Sequence, residues 1–134
     1  VGGAIFSSGG PLTIADTTFS TNTASVEGGA VASGPGTLTI THSSFSGNHS
    51  GNGGGIINFG TARLDNSAVT DNTANTGGGI YNGTSSTLTL RHSAVTENTA
   101  TSGNGSGIFN LGAVTLINST VSQNNPTTNQ CDGC

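Results

Sequence analysis

Gly28-Gly29-Ala30-Val31, followed seventeen residues after Gly28 by Phe45-Ser46-Gly47-Asn48, is the stretch that decides the fold. The same pattern of small residues, an aliphatic, then an apolar residue three before an asparagine recurs five times along the chain. The aliphatic falls at Ile5, Val31, Ile56, Ile80 and Ile108, at spacings of 26, 25, 24 and 28 residues. A period in the twenties is that of a solenoid.

The intervening columns are equally regular. Leu12-Thr13-Ile14, Leu38-Thr39-Ile40, Ala62-Arg63-Leu64, Leu88-Thr89-Leu90 and Val114-Thr115-Leu116 alternate apolar and polar, the period of a half-buried strand. Phe19, Phe45, Val69, Val95 and Val121 form the next column, and each unit closes on Asn22, Asn48, Asn72, Asn98 or Asn124. The pattern predicts three short strands per coil, separated by Gly, Ser, Thr and Asn corners, and no helix. Such strands bury their apolar side only by stacking on the next coil, which adds about 4.8 Å of height per turn. The expected architecture is one domain over 1–134, with coils starting near 2, 28, 53, 77 and 105 and a tail over 125–134. About four large inward side chains per coil, at roughly 1.5–3 kcal/mol each, offset only part of an ordering cost near 1–2 kcal/mol per residue. Backbone ladders and side-chain stacking must contribute the rest. The asparagine column therefore reads as a structural ladder that passes amide hydrogen bonds from coil to coil. Asn58, Asn82 and Asn110, with Ser7 and Ser33 above them, form a second, partial one, and Asp16, His42, Asn66, His92 and Asn118 a third polar corner.

Composition agrees with a solenoid and excludes several classes. Charged residues are 6% of the chain, with 23 glycines, no Trp and no Met, where about 25% charge is usual. A net charge of −4 is too small for disorder driven by charge repulsion. Two arginines and no basic cluster argue against nucleic acid and anionic membrane. No apolar run approaches the roughly 18 residues of a membrane helix. The start at Val1 rather than Met reads as a processed mature chain or an excised fragment, and no capping element is recognisable at either end.

Gly2-Gly3-Ala4-Ile5 with Phe19-Ser20-Thr21-Asn22, and Gly28-Gly29-Ala30-Val31 with Phe45-Ser46-Gly47-Asn48, resemble the paired GGA(I/L/V) and FxxN repeats of chlamydial-type polymorphic outer membrane proteins. Those belong to the wider set of right-handed parallel β-helix surface proteins of the pectin-lyase-like class. Later coils keep the spacing but relax the residues, as in Gly53-Gly54-Gly55-Ile56 and Val69-Thr70-Asp71-Asn72. The resemblance covers the whole chain. It implies an all-β, right-handed parallel β-helix, an extracellular or cell-surface location, and an adhesive or structural role; right-handedness rests on the resemblance alone.

The chemistry-bearing residues are sparse, and no catalytic residue, metal ligand or cofactor is assigned. Asp71 and Glu97 share a column on adjacent coils, near the separation of a retaining glycosidase pair, but no third acid or Arg joins them. Asp65 and Arg91 also share a column, with Arg63 alongside, and read as a surface ion pair. His42 and His92 are two coils apart and His49 lies at another corner, too dispersed for zinc. Cys131-Asp132-Gly133-Cys134 lacks the strand and helix setting of a redox motif; the even count predicts a disulfide of Cys131 and Cys134, local or between subunits. Asn48, Asn82, Asn104 and Asn118 match the glycosylation sequon, as chance provides in so Asn-rich a chain.

On the outside, Ala4, Ala30, Gly55, Gly79 and Gly107 are expected as a flat strip edged by exposed Phe6, Ile57, Tyr81 and Phe109, a partner surface. Rows of outward threonine suggest ice binding, but Arg63, Asp65 and Arg91 interrupt them. The reading is a non-enzymatic extracellular structural or adhesive module, associating with further copies head to tail into a fibre, and laterally, through uncapped ends. A host or matrix surface or a polysaccharide is a further expected partner; nucleic acid and membrane insertion are not. The alternatives are a polysaccharide-binding or polysaccharide-cleaving β-helix, and an ice-binding solenoid.

Overall fold

The alternating columns become strands of two to six residues, numbered β1 to β19 in chain order. A computed structural model describes residues 2–134; Val1, read above as the start of a processed chain or an excised fragment, lies outside the described residues. The first sheet holds β1 (Ile5–Ser7), β4 (Val31–Ser33), β8 (Ile56–Asn58), β12 (Ile80–Asn82), β16 (Ile108–Asn110) and β19 (Cys131–Asp132), in that order. The second holds β2 (Gly10–Ala15), β5 (Gly36–Thr41), β9 (Thr61–Asp65), β13 (Thr87–Arg91) and β17 (Ala113–Ile117). The third holds β3 (Thr18–Ser20), β6 (Ser44–Ser46), β10 (Ala68–Thr70), β14 (Ala94–Thr96) and β18 (Thr120–Ser122). Every pairing is parallel and joins a strand to its counterpart one coil away, so the chain is a parallel β-solenoid of five coils.

Three strands per coil run through all five coils, as the columns predict. The stretch between the asparagine column and the Gly-Gly corner adds a fourth, shorter sheet from β7 (His49–Asn52), β11 (Thr73–Thr76) and β15 (Thr99–Asn104). Its backbone groups would otherwise lack partners, and Ser50, Ala74 and Ala100 are buried along it. Ala74 faces Ala100 but Thr76 faces Asn104, so β15 carries two extra residues. That bulge accounts for the longest spacing, 28 residues between Ile80 and Ile108.

The core follows the register. Val31, Ile56, Ile80 and Ile108 stack in one column, Leu38 with Ala62 and Leu88 and Ile40 with Leu64 and Leu90 in two more, and Phe45, Val69 and Val95 in a fourth. Phe19 and Phe45 stack face to face, with ring centroids 4.8 Å apart. Burial fades toward the last coil, where Leu116 is 43% exposed.

The small residues before the first sheet do not lie on the outside. The N–H groups of Ala30 and Val31 both donate to the carbonyl of Gly55, at 2.9 and 3.0 Å. Gly55 and Ile56 share the carbonyl of Gly79 in the same way, Gly79 and Ile80 that of Gly107, and Gly107 and Ile108 that of Gln130. Two residues answering to one partner suspend the strand alternation, as in a bulge, so both point inward. Ala30 belongs to the buried core. A Cβ on Gly55 would lie 3.2 Å from Val69 Cγ1, and one on Gly79 would lie 2.9 Å from Asn98 Nδ2. The expected outer strip is thus an inner column, kept small because the asparagines fill the space opposite.

Glycine is required most clearly at Gly53, whose φ is +62° and whose added Cβ would collide with the carbonyl of Ile56. Gly47 has nearly the same φ, +63°, yet a Cβ there meets nothing closer than Thr21 Cγ2 at 3.6 Å. Its column elsewhere carries Thr21, Asp71, Glu97 and Gln123 at φ between 55° and 60°. Gly53→Ala should therefore destabilise the chain by more than the roughly 1–2 kcal/mol of a left-handed residue alone. Gly47→Ala should cost no more than that amount, and urea denaturation of the two variants measures the difference.

Candidate functional site

Most of the polar side chains singled out by the sequence are committed to the interior. Asn48, Asn72, Asn98 and Asn124 are buried, each beside the turn that ends the third sheet. Asn72 Nδ2 donates to Asn98 Oδ1 at 2.9 Å, to the Phe45 carbonyl at 2.9 Å and to the Thr70 carbonyl at 2.8 Å. Its Oδ1 accepts from the backbone N–H and the side chain of Asn48 at 3.0 and 2.8 Å. Asn22, Asn98 and Asn124 repeat the pattern, forming a continuous asparagine ladder. The second ladder also forms: Asn58 Nδ2 donates to Asn82 Oδ1, Asn82 Nδ2 to Asn110 Oδ1, and Asn110 Nδ2 to the Gly133 carbonyl.

A third ladder lies one residue after the expected polar corner. The N–H of Thr17 donates to Ser43 Oγ, that of Ser43 to Ser67 Oγ, that of Ser67 to Ser93 Oγ and that of Ser93 to Ser119 Oγ, each at 3.1 Å. Each of Ser43, Ser67, Ser93 and Ser119 donates back to the carbonyl two residues earlier. The column of Thr17 and four serines was available as a signal, but it is hard to distinguish in a chain rich in Ser and Thr. The neighbouring Asp16, His42, Asn66, His92 and Asn118 are exposed, at φ between 47° and 49°. His42, Asn66, His92 and Asn118 line one wall of a shallow groove whose other wall includes Ser44, Ala68 and Ala94. His92 Nε2 and Asn118 Nδ2, neighbours in that wall on adjacent coils, lie 3.3 Å apart.

The charged residues stay on the surface. Asp65 pairs with Arg63 of its own strand at 2.6 Å and with Arg91 of the next coil at 3.6 Å, an exposed arrangement worth about 0–1 kcal/mol per pair. Asp71 and Glu97 are exposed on adjacent coils. Among the described residues, no group of three His, Cys, Asp or Glu is placed to hold a metal ion.

The expected apolar partner surface is only partly present. Phe6 is 54% exposed, but Ile57 is 1% exposed and cannot meet a partner. Ile57 sits between Ala32 and Tyr81 in the sheet register, and the Tyr81 ring packs 6.2 Å from that of Phe59. Tyr81 and Phe109 are half-buried, with centroids 5.1 Å apart. Phe59, at a corner position that holds Gly34, Gly83 and Leu111 in other coils and so forms no apolar column, is 40% exposed.

Residues after Asn124, read as an open tail, close over part of the last coil. Gln130 Oε1 accepts from the backbone N–H and the side-chain amide of Asn124 at 2.8 and 2.9 Å, taking the place of the next asparagine. Cys131 extends the aliphatic column by pairing with Ile108. It is joined to Cys134 by a disulfide within the same segment. The expectation of uncapped ends is corrected to this extent: residues 130–134 add a last strand to the first sheet and a last acceptor to the asparagine ladder, while β17, β18 and β19 are each paired on one side only.

Residues 16–34 match the model described as the Chlamydia polymorphic membrane protein (Chlamydia_PMP) repeat. That span holds Phe19, Asn22 and the Gly28-Gly29-Ala30-Val31 corner, one complete interval of core column, ladder and bulged corner. No curated protein and no solved structure matches the chain.

Replacing Asn72 by Ala removes the acceptor of two buried donors and leaves the Phe45 carbonyl without its amide. At about 1–3 kcal/mol per stranded group, Asn72→Ala should lose at least about 3 kcal/mol in chemical denaturation. Asn72→Asp should do no better, because a carboxylate would face three acceptors. Asn22→Ala, at a rung whose side chain accepts from none of the described residues, should lose about 1 kcal/mol.

Proposed function

We propose that this chain is a non-enzymatic structural and adhesive module of a cell-surface protein, extracellular in location. The observation that carries the reading is the match of residues 16–34 to a surface-protein repeat, set in coils whose amides and hydroxyls are consumed in three internal ladders. What remains for function is the shape of a rod and the side chains along its outer columns.

In this reading copies associate end to end through the second and third sheets. β17 and β18 present strand edges with a partner on one side only, and Leu116 and Ile117 beside them are 43% and 37% exposed. Such edges are templates for a further strand. The first sheet reaches one strand further, to the two-residue β19, whose outer edge is also paired on one side only.

Electron microscopy and light scattering of the purified chain test the proposal. Rods longer than the roughly 24 Å of five coils, growing with concentration, are expected. Monomers at every concentration would contradict end-to-end association. Incubation with acidic polysaccharides should release no product; turnover lost in Asp71→Asn or Glu97→Gln would replace this reading with a polysaccharide-cleaving enzyme.

A further inference from the structure

The first sheet presents one outward side chain per coil, because its strands are three residues long and their first and third residues face inward. In order these are Phe6, Ala32, Ile57, Tyr81 and Phe109, with Asp132 next to Phe109. Phe59 swings in from the following corner, over Gly83, where an added Cβ would lie 2.5 Å from Phe59 Cδ1. Phe59, Tyr81 and Phe109 thus form a continuous aromatic track, with centroid steps of 6.2 and 5.1 Å. It runs along the solenoid axis and is one side chain wide.

Size and charge decide what fits the track. An aromatic side chain offers roughly 150–250 Å²; with Phe59 40% exposed and the other two rings less so, the open aromatic area is on the order of 100–250 Å². A stable protein interface needs about 800 Å² per partner, so a second folded protein is poorly matched. No arginine lies in this column, and the charged residue that enters it is Asp132, which disfavours polymers bearing carboxylate, sulfate or phosphate. A pyranose ring has an apolar C–H face for stacking and a rim of hydroxyls for hydrogen bonds. The geometry points to a neutral linear oligosaccharide as the ligand, its rings stacked on Phe59, Tyr81 and Phe109. The Tyr81 hydroxyl and the Asp132 carboxylate are the hydrogen-bonding groups for its hydroxyls. This names the ligand of the adhesive module proposed above and rests on that reading for its role.

The chain has one tyrosine and no tryptophan, so tyrosine emission reports on this track alone. Titration with cellohexaose and with chitohexaose should give a saturable emission change with at least one of them. The matching disaccharide should bind at least tenfold more weakly, and an anionic hexasaccharide of hyaluronan should give no change. Phe109→Ala and Phe59→Ala, with unchanged far-ultraviolet dichroism, should each weaken binding about two- to tenfold, and Tyr81→Phe, followed by calorimetry, should weaken it about two- to tenfold through loss of the hydroxyl. Absence of saturation with both hexaoses, equal response to the anionic sugar, or unchanged affinity in both alanine variants would overturn the inference. Filaments without sugar binding defeat this inference alone, and sugar binding without filaments defeats only the end-to-end association.

Discussion

The rest of the structure depends on a column of asparagine amides held out of water. Asn48, Asn72 and Asn98 each pass two hydrogen bonds to the next coil, from backbone and side chain, through a single Oδ1 acceptor. Their Nδ2 groups also reach a strand carbonyl on the preceding coil. A buried amide without partners is costly, so each rung is tolerable only if its neighbours stand at the right height. This ties the height of every coil to the next at one corner, and the serine column and the Asn58–Asn82–Asn110 column do the same at two others.

That constraint reaches across the core. Because the asparagines occupy interior volume, the residue opposite must be small, and the shared-carbonyl bulge turns Ala30, Gly55, Gly79 and Gly107 toward them. The GGA signature and the FxxN signature are therefore two halves of one packing solution. Only the outer columns and the open strand edges are free of it, and there the sequence varies: Arg63 among threonines, Tyr81 and Phe109 in a column that elsewhere holds Ala32.

The columns were legible because a five-fold repeat averages out accidents: the parallel coils, the core and both asparagine ladders follow from spacing alone. Features set by a single residue were not. Gln130 stands in for an asparagine at one coil only, so no column announces it. Phe59 covers Gly83 from a corner position that holds glycine or leucine in other coils, and Ile57 is buried although its place in the strand faces outward. The inward turn of Gly55 and Gly79 was misread because strict alternation was carried through a corner where two N–H groups share one carbonyl. The serine ladder was present as a column but blended into an ordinary hydroxyl-rich face.

The account stands or falls on the asparagine ladder being continuous and dry. Side-chain amide hydrogen exchange, followed by nuclear magnetic resonance, measures this rung by rung. The Nδ2 protons of Asn48, Asn72 and Asn98 should be protected to the same degree as the backbone N–H groups of Val69 and Leu64, while those of exposed Asn66 exchange at once. Exchange of the ladder amides as fast as Asn66, in a chain whose core strands remain protected, would contradict it.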